Sequence, residues 1–146
     1  MYKHILLATD LSNENKDTLE KARKIVDMFS AKFSIMHAVE PIVNYGYVGI
    51  TDLEDQLVTE AKQALAKIGS SLNVAPEDQW IAVGPAKREI LSMAEELKAD
   101  LIIIGSHSEH GLADLLGSTT NGVLHQSHCD ILTIRHWKGM KKDNND

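Results

Sequence analysis

The sequence predicts an α/β domain built as a single open, parallel, five-stranded sheet with helices on both faces. Apolar runs alternate with longer segments whose apolar residues recur at helical spacing, in the order βαβαβαβαβ. HILLA (residues 4–8) and DLIIIG (100–105) are almost continuously apolar, which is typical of strands buried on both faces of a sheet. A chain of 146 residues suits one domain with one core.

The strands are predicted at 4–8, 32–39, 80–84, 100–105 and 130–135, and the helices at 12–29, 52–72, 85–99 and 117–127. Ser12 is the predicted N-cap of the first helix, and Pro85 is suited to the first turn of the third. Residues 40–51 read as a loop because they contain proline and two glycines. We place the domain at residues 1–137 and a flexible, solvated tail at 138–146.

Composition and charge exclude several classes of protein. The formal net charge is −6 and no basic stripe stands out, which disfavours nucleic acid as a partner. No apolar stretch approaches the length of about 20 residues that crosses a bilayer, and the amino terminus has no secretory signal pattern. The single cysteine, Cys129, rules out an internal disulfide framework. These observations predict a soluble cytoplasmic protein.

A ligand of an open α/β sheet binds beyond the carboxyl ends of the strands. Three segments qualify: ATD (8–10), HAVE (37–40) and the stretch GSHSEHGLADLLGSTTNG (105–122). In the last, Gly105 allows a close approach of the backbone to a ligand. Gly117 and Ser118 would open the following helix, whose free amides and dipole favour a phosphate group.

Two interpretations of the 105–122 stretch remain open on these grounds. It is either a phosphate-binding loop or a turn rich in glycine and serine. The known phosphate motifs GxxxxGK[ST] and GxGxxG are both absent. The helix after it, STTNGVLHQS, contains poor helix formers, which favours a role for those residues beyond helix formation.

The chain resembles the universal stress protein A family over nearly its whole length. The landmarks are YKHILLATDLS at the start, FSIMHAVE at the second strand, and ADLIIIGSHSEHGLADLLGSTTNGVLHQSHCDILTIR at the end. The resemblance implies a Rossmann-like, adenine-nucleotide-binding-like fold with strand order 3-2-1-4-5. Some members bind ATP or AMP, while the subgroup around the founding member lacks the loop and does not.

Carried over position by position, the resemblance implies an adenine-nucleotide site with Mg²⁺ possible alongside ATP. Ala8, Thr9 and Asp10 would lie beside the adenosine, and Ala38 would offer backbone groups to the adenine edge. The ribose and phosphates would be surrounded by a larger set: Gly105, His107, Ser108, Gly117, Ser118, Thr119 and Thr120. Asp10 is open to two roles, ligand or Mg²⁺ contact on one hand and helix capping on the other.

The loop departs twice from the pattern of the nucleotide-binding members, which is G-x-x-G, nine residues, then G-[S/T]. Ser108 replaces the second glycine, and only eight residues separate it from Gly117. A Cβ at Ser108 costs on the order of 1 kcal/mol if the turn there is left-handed. Gly111 offers flexibility three residues later.

No catalytic constellation is visible in the sequence, which predicts a binding module rather than an enzyme. Walker lysine and nucleophile elbow are both absent. The pairs His107/His110 and His125/His128 suggest a metal site, but His125 and His128 lie at the far end of the last helix and no carboxylate spacing accompanies them, so no metal site is predicted. Cys129 precedes an apolar strand and is expected to be an inert thiol.

The last strand, DILTIR, predicts a homodimer. Its residues, Asp130, Ile131, Leu132, Thr133, Ile134 and Arg135, form an apolar edge with little charge to prevent pairing with a second copy. Many members of the resembling family dimerise through this strand.

Three hypotheses of function follow. The first is a dimeric stress-response module that binds ATP or AMP and acts by its bound state. The second is a nucleotide-independent protein that acts through protein contacts. The third, less favoured, is a slow ATPase or self-phosphorylating protein.

Overall fold

The computed structural model describes residues 1–12, 16–41, 50–106 and 118–135. Its strands are β1 (His4–Ala8), β2 (Lys32–Val39), β3 (Gln79–Val83), β4 (Leu101–Ser106) and β5 (Asp130–Arg135). Its α-helices are α1 (Lys16–Phe29), α2 (Ile50–Leu72), α3 (Ala86–Glu96) and α4 (Ser118–Gln126), and a short 3₁₀ turn spans Pro76–Asp78. The alternation of strand and helix is as predicted, and β1, β2 and β5 have the predicted bounds.

All five strands are parallel and lie in the order β3-β2-β1-β4-β5. This confirms the α/β class and the strand order implied by the resemblance. β1 lies at the centre, where Ile5 is paired with Phe33 of β2 on one side and with Leu101 of β4 on the other. β2 and β3 lie on one side of β1, whereas β4 and β5 lie on its other side. The strand order therefore reverses between β1 and β4.

Each face of the sheet carries its own hydrophobic core. Ile5 and Ile103 face α1 and α2, whereas Leu6 and Ile102 face α3 and α4. All four side chains are completely buried because successive residues of a strand point to opposite faces and helices cover both. The continuously apolar runs of the sequence are therefore explained by burial on two sides.

Several predicted boundaries differ from the structure. α2 begins at Ile50, two residues before the predicted start, and the 3₁₀ turn at Pro76–Asp78 was not predicted. Pro85 is the N-cap of α3, with an extended ψ of 128°, rather than a residue of its first turn. The helix start that Ser12 is predicted to cap includes residues 13–15, which lie outside the described residues. The predicted tail also lies outside them, since residues 136–146 are not described.

The amino ends of β1 and β4 are joined by a polar cluster at the edge of the sheet opposite to the strands' carboxyl ends. The Asp100 carboxylate accepts hydrogen bonds from the N–H groups of Lys3 and His4, at 2.9 and 3.1 Å. Burial alone would raise the pKa of Asp100, but these N–H groups stabilise its carboxylate and the pKa lies below its ordinary value.

His4 is the hydrogen-bond partner of the buried Ser34 hydroxyl in the same region. Its Nδ1 donates to the Leu97 carbonyl at 2.9 Å, so the neutral ring accepts at Nε2 from the fully buried Ser34 hydroxyl at 2.7 Å. Burial lowers the pKa of His4, and the Leu97 carbonyl opposes the shift only in part. The cluster stabilises the fold and lies away from the carboxyl edge where a ligand is predicted.

Candidate functional site

A pocket of about 530 Å³ lies over the carboxyl ends of β1, β2 and β4. This volume is within the range of about 300–1,000 Å³ that is usual for small-molecule sites. α1 closes one wall through Thr18 and Leu19, and α3 closes the opposite wall through Ala86 and Ile90. The pocket therefore lies at the reversal of strand order, where open α/β sheets bind ligands.

Of the eleven residues predicted for the site, eight line this pocket: Ala8, Thr9, Asp10, Ala38, Gly105, Ser118, Thr119 and Thr120. They come from four separate segments of the chain, which the parallel sheet brings to one edge. The other three, His107, Ser108 and Gly117, lie outside the described residues.

The turn after β1 is held by hydrogen bonds of its own polar side chains. Thr9 Oγ1 accepts from the N–H of Leu11 at 3.1 Å, and Asp10 Oδ1 accepts from the N–H of Ser12 at 2.9 Å. Leu11 has a φ of 65°, a left-handed conformation that is uncommon for a residue with a Cβ. Asp10 thus supports the local turn while it also lines the pocket.

His37 of β2 ties this turn to the neighbouring strand; it lies in the predicted HAVE segment, but it was not among the predicted site residues. Its Nδ1 donates to the Thr9 carbonyl at 2.7 Å, while the N–H of Thr9 donates to the Met36 carbonyl at 3.0 Å. Nε2 is then the ring nitrogen left to contact another group. A polar residue in an otherwise apolar strand, one position before Ala38, was the signal available in the sequence.

The amino terminus of α4 forms the end of the pocket on the β4 side. Ser118, Thr119 and Thr120 line it, and the buried Thr120 hydroxyl donates to the Gly105 carbonyl at 3.3 Å. Val123, completely buried against α3, anchors the helix one turn later. The first-turn amides of a helix and its positive dipole end favour an anionic group at this position.

The charged side chains in the described lining are both acidic. Asp10 lies at the end of β1 and Glu40 follows β2, and no lysine or arginine of the described residues joins them. The segment 107–117 also contains no lysine or arginine. The pocket thus has an end that attracts anions, at α4, and an acidic side that accepts hydrogen bonds, at β1 and β2.

The histidines and the cysteine form no second site in the described part of the chain. No group of three or more His, Cys, Asp or Glu residues there could hold a metal ion. Cys129 is half-buried beside Ser127, whose hydroxyl donates to the Cys129 carbonyl at 2.9 Å and accepts from its N–H at 3.1 Å. His107 and His110 lie outside the described residues.

β5 is an edge strand in the described sheet, where it pairs with β4. Ile131, Leu132 and Thr133 are half-buried, and Ile134 is buried against the core shared with α1 and α2. The predicted apolar edge is therefore present, with the charged Asp130 and Arg135 at its two ends. Across the described ranges, no helix is long and apolar enough to cross a membrane.

A family model described as the universal stress protein family matches residues 1–135. The chain belongs to this family. Among curated relatives, universal stress protein A homolog 2 of Coxiella burnetii is 43% identical over 139 residues, which cover 92% of this chain and 95% of the relative. The family match spans every strand and helix of the described residues.

Solved structures of similar proteins have the same fold. Hypothetical protein MJ0577 is 26% identical with a TM-score of 0.77, over 95% of this chain and 99% of its own. A universal stress protein solved in complex with cAMP is 22% identical with a TM-score of 0.68, over 93% and 99% of the two chains. At that identity the second likeness shows the universal stress protein fold alone.

Proposed function

We propose that this universal stress protein binds an adenine nucleotide, ATP or AMP, in the pocket at the carboxyl ends of β1, β2 and β4. One observation carries the proposal: Asp10, Gly105 and the amino terminus of α4 line a single pocket. A nucleotide has an anionic end and a neutral base, which match the helix terminus and the acidic, hydrogen-bond-accepting side of the pocket. The relative solved with cAMP supports an adenine nucleotide as the ligand class.

The charge of the pocket governs which nucleotide is favoured. Because Asp10 and Glu40 are the charged side chains of the described lining, the phosphates must be neutralised by α4 amides, hydroxyl groups and a cation. Mg²⁺ fits this set, since it prefers oxygen ligands and the Asp10 carboxylate with the Ser118 and Thr119 hydroxyls supplies them. When bound, Mg²⁺ would offset the repulsion between the phosphates and the acidic side chains.

Calorimetry with AMP, ADP and ATP, each in Mg²⁺ and in EDTA, tests the proposal. We expect binding of AMP in both buffers, and an ATP affinity that falls at least tenfold more than the AMP affinity when Mg²⁺ is removed. Asp10→Asn should reduce that difference. Absence of binding heat and of any melting shift at millimolar nucleotide would refute the nucleotide-binding function.

We propose further that the protein is a cytoplasmic dimer and that it signals by whether nucleotide is bound. The half-buried apolar edge of β5 supports pairing with a second copy. Because Ile134 is buried in the core, the dimer is better tested at the half-buried Thr133. Thr133→Lys should give monomers in sedimentation velocity, whereas Gln63→Lys, on the exposed surface of α2, should remain dimeric. A folded Thr133→Lys dimer would place the interface elsewhere.

Ser108 favours a second candidate, a nucleotide-independent protein that acts through protein contacts. Ser108 stands where the nucleotide-binding pattern has glycine, and the loop is one residue shorter. If the loop is the obstacle, Ser108→Gly should raise nucleotide affinity, and nucleotide retained through purification of the unaltered protein would argue against this candidate.

Slow ATP hydrolysis or self-phosphorylation is the least supported alternative. The lining offers carboxylates and hydroxyls but no described lysine or arginine to stabilise charge on a transferring phosphoryl group. We therefore propose a binding module without catalytic activity. Phosphate release that disappears in both Asp10→Ala and Gly117→Val would overturn that assignment.

A further inference from the structure

A second groove, of about 870 Å³, lies between α3 and the turn that joins α4 to β5. Its α3 wall extends from Lys87 to Ala99, and its other wall is formed by residues 126–129. It shares no described lining residue with the pocket at the carboxyl ends of the strands. The groove is therefore a separate surface, to which the proposed nucleotide site gives no role.

The floor of this groove is apolar. Ala94 and Ala99 are buried in the hydrophobic core that α3 and α4 share, and Leu91 and Cys129 are half-buried against the same core. All four belong to the lining of the groove. A surface with an apolar centre and a polar rim is the arrangement that proteins use to bind a side chain of a partner.

Basic residues stand at both ends of the groove. Lys87 and Arg88 belong to the first turn of α3, whereas Lys98 follows its last turn, and Glu95 is the one acidic residue in the described lining. Arg88 is paired with Glu89 at 3.2 Å, but no salt bridge joins Lys87 or Lys98 to another described residue. In a chain whose formal net charge is −6, this groove is a local basic surface.

The backbone and α4 fix the positions of both unpaired lysines. A Cβ at Gly122 of α4 would overlap the Lys87 side chain, so the stem of Lys87 packs closely across α4. Lys98 has a φ of 54°, a left-handed conformation that favours glycine at the end of a helix. The same conformation follows α1 and α2 at Ser30 and Asn73, which have short side chains. A lysine at this position favours a role for its charge beyond ending the helix.

The distance between the two lysines sets the length of an occupant. Lys87 and Lys98 are eleven positions apart, which is about 16 Å at the helical rise of about 1.5 Å per residue. An extended peptide rises about 3.3 Å per residue, so about five residues span the same distance. Glu95 lies between the lysines and disfavours a carboxylate at the centre of the occupant. Acidic residues about five positions apart, with an apolar residue between them, match the groove.

We propose that this groove docks an extended acidic segment of a partner protein. Acidic side chains of the segment pair with Lys87 and Lys98, and an apolar side chain covers the floor at Leu91 and Cys129. Nucleic acid, the other common polyanion, would leave the apolar floor uncovered, and the described lining has no aromatic residue on which a base could stack. The proposal does not depend on nucleotide binding, since the two sites share no described lining residue.

Calorimetry on the full chain with a synthetic peptide tests the proposal. The probe is a capped seven-residue peptide with aspartates at its first two and last two positions and leucine in the middle. We expect a dissociation constant on the order of 0.1 mM, and weaker binding when the salt concentration is raised. Serine in place of the leucine should weaken binding by about 3- to 10-fold, because the floor then loses its apolar contact.

Two variants remove the charges without damage to the fold. Lys87→Met keeps an unbranched stem across Gly122, and Lys98→Gly relieves the left-handed conformation, so its melting temperature should not fall. Each should weaken the peptide by about 2- to 5-fold. Lys62→Met is the matched control, because Lys62 is an exposed lysine of α2, which packs on the other face of the sheet. Its peptide affinity should be unchanged.

Four outcomes would overturn the proposal. The first is no binding at millimolar peptide. The second is equal affinity of both lysine variants and the unaltered protein, which would place the peptide on another basic segment such as residues 138–142. The third is equal affinity for the leucine and serine peptides, which would mean that the apolar floor is not used. The fourth is a DNA oligonucleotide that binds more tightly than the peptide and weakens in the same variants, which would assign the groove to nucleic acid.

Discussion

α4, which forms the phosphate end of the proposed pocket, is attached to the core through one apolar side chain, Val123. Truncation of Val123 tests whether this contact holds the helix in place. The sequence of α4, STTNGVLHQ, forms a short helix with two buried side chains, Thr120 and Val123. Val123 is completely buried in the cluster formed with α3, whereas its neighbour Leu124 is 46% exposed. The two positions therefore offer a matched pair of truncations on one helix.

Val123→Ala removes two methyl-sized groups, worth about 1.6 kcal/mol at roughly 0.8 kcal/mol each. The cavity left behind brings the expected loss to about 2–3 kcal/mol of unfolding free energy. For a chain of this length, that loss lowers the melting temperature by roughly 5–10 °C. Leu124→Ala removes more carbon atoms but from an exposed site, and it should cost less than about 1 kcal/mol.

Urea denaturation followed by circular dichroism measures both losses, and calorimetric scanning gives the melting temperatures. AMP at saturating concentration should restore part of the stability of Val123→Ala, since a ligand that binds only the native state stabilises it. If Leu124→Ala destabilised the protein as much as Val123→Ala, α4 would not be held by the burial that the structure shows.

Two further predictions concern the backbone and the pH dependence of stability. Gly84→Ala should destabilise the protein by about 1–3 kcal/mol in urea denaturation, because Gly84 has a φ of 154° and a Cβ there would overlap the Glu89 carboxylate; an unchanged stability would refute the strain. The pKa of His4 in the folded protein lies below its unfolded value of about 6.5, so the folded state binds fewer protons at this residue than the unfolded state. The free energy of unfolding should therefore fall as the pH is lowered below about 6.5, until the folded pKa is passed. His4→Gln should flatten that part of the profile of unfolding free energy against pH, and an identical slope in both proteins would assign the dependence to other groups.

The fold was largely predictable because its signals are local. β1 and β4 are almost continuously apolar, which is typical of strands buried on both faces and hence of a parallel sheet covered by helices. The boundaries of segments without a strong apolar periodicity were predicted less accurately. α2 begins within the 40–51 segment that was interpreted as a loop because of its proline and glycines, and the 3₁₀ turn at Pro76–Asp78 lies in the short polar linker before β3.

The candidate site was predictable in part, for a related reason. Asp10, Gly105 and Ser118 could be named because each follows a strand or opens a helix, and position relative to an element can be judged from the sequence. The HAVE segment with His37 and Glu40 was also named from its place after a strand, but strand order, which the residues alone do not show, decides that these two side chains share a pocket with Asp10.

By itself, the sequence determined the α/β class, the alternation of its elements and the chemistry available at the strand ends, because apolar periodicity and turn residues report the burial of each segment. Only the tertiary structure decided which distant groups share one pocket. It tied His37 to the Thr9 carbonyl and brought two acidic side chains into one pocket with the amino terminus of α4. Those relations depend on which strands are neighbours and on which face each helix packs, and both follow from long-range packing rather than from any local stretch of the chain.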